Sequence, residues 1–136
     1  MMISTRGRYA LRVMIDLAEH QSEGYIPMKT VANRQGVSLK YLEQIMPILT
    51  KNGLVEAVHG KGGGYRLVRE PQEYRTSEIL RYTEGDLASV ACLAEGASVC
   101  EKAKSCKTVE FWKGLNNVMN QYLDGVTLED FINKGM

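Results

Sequence analysis

The sequence predicts a mainly α-helical chain carrying one small β-hairpin. Three observations predict it. Apolar residues recur at helical spacing over most of the chain, as in Tyr9, Val13 and Leu17. One stretch, Leu54 to Val68, reads as two short strands around a glycine tip, Gly60-Lys61-Gly62-Gly63-Gly64. Two short helical patterns separated by Gly36 come immediately before that hairpin. Two helices across a turn, followed by a hairpin, make a winged helix-turn-helix, here with a long helix appended. At 136 residues the chain suits one compact domain and can bury roughly two-thirds of its unfolded surface without staples.

The elements follow in order. Ser4 or Thr5 can cap a first helix that runs to about Glu19. Ala10, Met14 and Ile15 widen its apolar stripe, so one side should pack on the helix-turn-helix. Arg6, Arg8 and Arg12 crowd its start and oppose the macrodipole. That conflict makes sense if they face phosphate; a solvated basic turn is the other reading. Residues 20–24 are a loop. Pro27 then suits a first-turn position, and Met28, Val31 and Ala32 give the second helix an apolar side. Gly36 supplies a turn and Ser38 caps the third helix. Leu39, Leu42, Ile45, Met46 and Leu49 lie on one side of that helix; Lys40, Tyr41, Glu43 and Gln44 lie on the other. Pro47 conflicts with it, because proline removes the N–H bond to the Glu43 carbonyl and biases Met46 away from helix. A kink or break is expected near Glu43–Met46. Gly53 ends the helix. Leu54 to Val58 and Tyr65 to Val68 are the strands, and the tip carries His59, Lys61 and Arg66 beside glycines that let backbone approach a phosphate.

Glu70-Pro71 closes the hairpin. Thr76 can cap a short helix over 77–83, with Ile79, Leu80 and Tyr82 turned wholly or partly inward, and Gly85 ends it. Residues 86–106 form a loop of about 20 residues, a length that usually signals function or disorder. A long helix runs from about Thr108 to Asp124, with Val109, Trp112, Leu115, Val118 or Met119, and Tyr122 at helical spacing. It either packs on its own domain or forms a dimer seam. Thr127 caps a last helix, with Asp130 as its capping-box partner. The expected division is a DNA-binding part over 1–84, a cysteine-rich sensor loop over 85–107, and a dimerisation helix with a C-terminal helix over 108–136.

Charge is divided unevenly. Residues 1–70 hold ten Lys/Arg against six Asp/Glu, net +4; residues 71–136 hold seven against ten, net −3. A basic first half suits a polyanion-binding module. No charged-then-apolar leader is visible, and no apolar run approaches the roughly 18 residues of a membrane span. The expectation is a cytoplasmic protein without membrane attachment. Three cysteines in such a chain argue against a disulfide framework.

Cys92, Cys100 and Cys106 are separated by seven and five residues within that one loop. Soft thiolates on a short segment suit zinc or an iron–sulfur cluster. Their spacing is neither a zinc ribbon nor an electron-transfer ferredoxin run. Three ligands leave one coordination position, for which Glu95, Glu101, Glu110 and His59 are all conceivable. The glycine tip is neither a dinucleotide fingerprint nor a P-loop. A nucleophilic cysteine enzyme would need a base beside a thiol, and the sequence offers none. The chain is read as a non-enzyme.

Residues 7–11 (GRYAL), 35–44 (QGVSLKYLEQ), 51–55 (KNGLV) and 60–65 (GKGGGY), together with the cysteine loop, resemble the IscR-type (Rrf family) bacterial transcription regulators. The resemblance covers almost the whole chain. It implies a homodimeric winged-helix regulator, repressor or activator, of double-stranded DNA. It implies an iron–sulfur cluster held by Cys92, Cys100 and Cys106, [2Fe-2S] ahead of [4Fe-4S], that tunes DNA affinity and so genes of cluster assembly or stress. By that similarity Lys40, Tyr41 and Gln44 enter the major groove, Glu43 tunes base tolerance, and His59, Lys61, Gly62 and Gly63 work at the minor groove and backbone. Arg8 and Ser38 complete the expected DNA contacts, and helix 108–124 becomes the dimer seam. Two departures stand out. The first cysteine gap is longer than the five residues common in cluster-binding members. Val109 also stands where IscR-type proteins carry a histidine ligand, and Arg8 where another branch draws an acidic ligand from the partner chain. A cluster-free regulator of the same family is the alternative; it would sense thiol oxidation or cysteine metabolism through a partner protein.

Overall fold

A computed structural model describes residues 2–98, 100, 102 and 104–134. Helix α1 (Thr5–Glu19) starts where Ser4 accepts the Gly7 amide at 3.1 Å. Its buried positions Ala10, Val13, Met14, Leu17 and Ala18 follow i, i+3, i+4, i+7, i+8, a stripe wide enough to lie in the centre of the core. A short 3-10 turn, Gln21–Glu23, leads to α2 (Met28–Gln35). Pro27 stands just outside α2 as its extended N-cap rather than inside its first turn. Gly36 stops α2 in the left-handed region (φ 66°), which glycine enters without steric cost. Ser38 caps α3 (Leu39–Lys51), its hydroxyl oxygen accepting the Tyr41 amide at 3.0 Å.

Of the expected kink or break in α3, the break does not occur: Pro47 lies inside one continuous helix. The magnitudes explain this. An interior proline costs about 3 kcal/mol. Leu42, Ile45, Met46 and Leu49 are all buried on the same helix, and burying each such side chain contributes about 1.5–3 kcal/mol. Pro47 and Glu43 both face outward, so water reaches the orphaned Glu43 carbonyl. Leu39 is exposed, contrary to its expected place on the apolar side; as first residue of the helix it lies beyond the edge of the core.

Strands β1 (Val55–Val58) and β2 (Gly64–Leu67) pair antiparallel, with Val55 opposite Leu67 and Val58 opposite Gly64. Gly64 therefore belongs to the strand, not to the tip, which shortens to 59–63. The reason is a third contact. Ile26 and Tyr65 exchange both backbone hydrogen bonds, at 2.9 and 2.8 Å, so the segment before α2 runs beside β2. A Cβ at Gly64 would lie 2.3 Å from the Ile26 backbone, at a φ of +155°. Tyr74, fully buried, pins the other end of the hairpin. Its hydroxyl donates to the Leu54 carbonyl at 2.7 Å and accepts the Val68 and Arg69 amides at 2.9 and 3.1 Å.

Helix α4 (Thr76–Glu84) packs on α1 and ends at Gly85. Thr76 does not cap it. Its hydroxyl and amide both donate to the Val126 carbonyl at 2.9 Å, tying α4 to the C-terminal segment, and Arg75 is the N-cap without a side-chain bond. Ile79 and Leu80 are buried, whereas Tyr82 faces outward. The Glu84 carboxylate closes over the start of α1, accepting the Ser4 amide and hydroxyl at 2.9 and 2.7 Å. An anion there also suits the helix dipole. After the loop, α5 (Val109–Gly125) lies against α4, and α6 (Leu128–Lys134) returns to α1 with Leu128 in the core. The Thr127–Asp130 capping box forms, Asp130 accepting the Thr127 amide at 2.9 Å.

Candidate nucleic-acid interface and cysteine site

Helix α3 is placed by the turn before it and by one ionic cluster behind it. Asp16, 2% exposed, accepts Arg34 Nε at 3.0 Å, Arg34 Nη2 at 2.7 Å and Gln35 Nε2 at 2.9 Å. The Asp16 hydrogen bond, before any longer-range charge, raises the Arg34 guanidinium above its usual pKa. This cluster joins α1 to the end of α2 and so sets where α3 begins. Sequence reasoning missed it, because Asp16 sits in an apolar stripe and its partners are 18 and 19 residues away. A lone acid on a buried helix face was the available signal.

The outward side of α3 is a stripe of Lys40, Glu43, Gln44 and Pro47, all exposed at i, i+3, i+4, i+7. Ser38 is exposed beside them, with its hydroxyl engaged as the cap. Tyr41 is half-buried; its ring meets Tyr9 edge-on at 5.7 Å. That contact sets the first turns of α1 against the first turn of α3. The three arginines of α1 then part company. Arg6 donates to the Thr83 carbonyl at 3.1 Å, at the end of α4. Arg12 lies over the Tyr9 ring and donates to the Gln35 side chain and carbonyl at 3.0 and 3.3 Å. Both cations satisfy helix C-termini, where the dipole favours them; the phosphate-facing reading is corrected for these two. Arg8 alone of the three is exposed with its guanidinium unbonded among the described residues.

On the hairpin, His59, Lys61 and Gly62 are exposed at the tip and Gly63 is half-buried. Gly63 is obligatory there, because a Cβ would strike the Val58 carbonyl oxygen at 2.1 Å. Arg66 is not free at the tip. It pairs with Glu56 across the strands and stacks on Tyr25 at 4.4 Å.

The three cysteines come together on the opposite part of the sequence. Cys92, Cys100 and Cys106 line one concavity of about 370 Å³ with Leu93, Val109 and Glu110. The loop that carries them is fastened. Leu87 is buried, Asp86 accepts the Ala88 amide at 2.7 Å and the Glu95 amide, and the Ser89 amide donates to Asn116 of α5 at 2.9 Å. Cys106 sits at the start of α5 with Sγ 3.5 Å from the Thr108 hydroxyl. That hydroxyl, then the Thr108 and Val109 amides and Lys102, hold its thiol below the usual thiol range. Among the described residues, no three His, Cys, Asp or Glu side chains stand close enough to hold a single metal ion. The donor set nonetheless fits an iron–sulfur group in kind: three soft thiols lining one hollow. Of the conceivable fourth donors, Glu110 lines this hollow, Glu95 lines a different one beside Arg81, and His59 is on the hairpin. Glu101 lies outside the described residues.

Helix α5 leaves an apolar stripe uncovered. Phe111, Leu115, Val118 and Tyr122 are 64, 38, 64 and 63% exposed. Their spacing of four, three and four is that of a two-helix seam. The stripe expected from sequence was rotated. Trp112 and Met119 turn partly inward, and Phe111, not among the expected residues, belongs to the outward row. No helix among the described residues is long and apolar enough to cross a membrane.

Comparison with known proteins places this arrangement. The chain is 35% identical over 133 residues to the HTH-type transcriptional regulator IscR of Photorhabdus laumondii, covering 98% of this chain and 80% of that one. It is 36% identical over 132 residues to the IscR of Aliivibrio salmonicida, covering 97 and 77%. The structure of CymR (YrzC), described as the global cysteine regulator of B. subtilis, superposes with a TM-score of 0.80 at 37% identity, over 96% of this chain and 95% of that one. T. potens IscR superposes at 0.76 with 34% identity, over 100 and 89%. These relatives share the winged-helix architecture, and those named by activity are regulators of transcription rather than enzymes. The profile of the Rrf2 family, described as iron-dependent transcriptional regulator, matches residues 3–134, and the chain is a DNA-binding transcriptional regulator belonging to that family.

Proposed function

We propose that this regulator acts as a cytoplasmic homodimer whose operator affinity is set by an iron–sulfur group, with [2Fe-2S] the expected form, in the cysteine loop. The observation that carries this reading is the convergence of Cys92, Cys100 and Cys106 on one hollow at the start of α5. When bound, such a group supplies an occupancy that responds to iron, sulfide and oxidant. Cys92, Cys100 and Cys106 would hold it. The chain supplies the rest. Asn116 and the buried Leu87 couple the loop to α5, and the stripe from Phe111 to Tyr122 pairs with the same stripe of a second copy. Changing the order of the loop changes how two α5 helices meet, and with them the separation of two α3 helices on a palindromic site. A coupling of about 1–3 kcal/mol is ordinary for such a device.

At the DNA, Lys40, Tyr41 and Gln44 enter the major groove. Gln44 pairs with adenine, Lys40 donates to guanine, and Glu43 excludes bases that present only acceptors. Arg8 and Ser38 meet phosphates; His59, Lys61, Gly62 and Gly63 follow the backbone and minor groove. The test is an absorption spectrum of anaerobically purified chain with iron and acid-labile sulfide counted, alongside operator binding of loaded and stripped protein. A coloured protein whose DNA affinity changes on stripping is expected. A colourless protein, even after reconstitution, refutes the cluster and transfers the loop to thiol or partner-protein sensing.

A further inference from the structure

We infer that Glu110 is the fourth protein ligand of the cluster, a carboxylate oxygen that completes the three thiolates of its own chain. This rests on the cluster reading above and specifies how its coordination closes. The sequence leaves four donors conceivable, and the structure separates three of them. Glu110 shares one hollow with Cys92, Cys100 and Cys106. Glu95 faces a different hollow, with Arg81, Asp86 and Asn116. His59 is exposed on the hairpin and lines neither. Val109 does line the cysteine hollow but has no donor atom.

Glu110 is also positioned and available. It stands in the first turn of α5, four residues after Cys106, so a helical backbone fixes its root at the hollow that Cys106 also lines. Its side chain is 82% exposed, and among the described residues its partner is Lys113 Nζ at 3.5 Å, a loose surface pair. No second partner holds that carboxylate among the described residues. Lys113 lines the same hollow. Its ammonium would then stand beside an anionic three-thiolate, one-carboxylate site and offset its charge.

The experiment is anaerobic reconstitution of the full chain with ferric iron and sulfide, read by visible circular dichroism, iron and sulfide per chain, and reduction potential. The variants are Glu110→Gln, Glu110→His, Glu95→Gln and Glu101→Gln, with far-ultraviolet circular dichroism confirming each fold. Glu110→Gln is expected to lower cluster retention by about tenfold or more, the scale set by ligand-supporting groups. Glu110→His is expected to retain the cluster at a raised potential, because neutral imidazole replaces an anion. Glu95→Gln and Glu101→Gln are expected to match the wild type. A wild type that loads while Glu110→Gln loads equally with an identical spectrum overturns the inference and leaves the cluster reading standing. A spectral change confined to Glu101→Gln overturns it too. A wild type that takes up no iron overturns both.

Discussion

Removing one oxygen atom tests how the hairpin is held. Tyr74→Phe keeps the buried ring and deletes the hydroxyl that joins three backbone groups: the Leu54 carbonyl at 2.7 Å and the Val68 and Arg69 amides at 2.9 and 3.1 Å. The three losses are unequal. Leu54 is fully buried, so its carbonyl loses a partner that water cannot replace, at about 1–3 kcal/mol. Val68 is exposed and Arg69 half-buried, so their amides recover solvent and cost roughly 0.5 kcal/mol each, the low end for a net hydrogen bond. The sum is about 2–4 kcal/mol. For a chain of this size that lowers Tm by roughly 5–15 °C. Thermal unfolding measures the total, and amide exchange at Val68 and Arg69 locates it. The matching control is Tyr82→Phe, an exposed tyrosine, expected within about 0.5 kcal/mol of wild type. A Tm drop below about 2 °C, with unchanged exchange at both amides, refutes the claim that this hydroxyl anchors the hairpin.

Other outcomes follow from the same geometry. Asp16→Asn, which weakens the Arg34–Gln35 cluster, should destabilise by about 1–3 kcal/mol, discounted for the partly exposed Arg34; urea unfolding at constant slope reads it, and the surface pair variant Glu56→Gln should leave stability within about 0.5 kcal/mol. Gln44→Ala should cost about 1–3 kcal/mol of discrimination at one base step, seen by comparing selected with random duplexes, and equal losses on both would remove Gln44 from the reading role. Lys61→Ala should weaken binding to all sequences alike and reduce the salt slope by about one. Val118→Glu, at an exposed position of α5, should give a folded monomer by light scattering; a dimer of unchanged affinity would place the seam elsewhere.

Much of this molecule is legible locally. Ser4, Gly36, Ser38, Gly53, Gly85 and the Thr127–Asp130 pair each act within a few residues of themselves, and each does what its chemistry dictates. Errors arise where a distant partner decides. Thr76 forgoes its own helix for the Val126 carbonyl, 50 residues on. Gly64 reads as tip until Ile26 is seen lying beside it. Pro47 reads as a break until the burial of four neighbours is weighed against it. Arg6 and Arg12 look like phosphate ligands because the helix ends they serve belong to α4 and α2. At the cysteine loop the sequence supplies three thiols and their order, but which carboxylate shares their hollow depends on how the loop folds back on α5.

The hairpin is fastened at both ends to the segments that bracket the reading helices: Ile26 before α2, and Leu54, through Tyr74, after α3. Tip and α3 are therefore held at a fixed separation, and in the proposed DNA complex they would act as the jaws of a caliper. A duplex gripped by a fixed gap has to supply the adjustment itself, by rolling or narrowing the base steps between the two contacts. Flexible pyrimidine–purine steps deform at less cost than stiff A-tracts. On the proposed reading, with tip and α3 both on the duplex, such a caliper would select sequence at base pairs that no side chain touches.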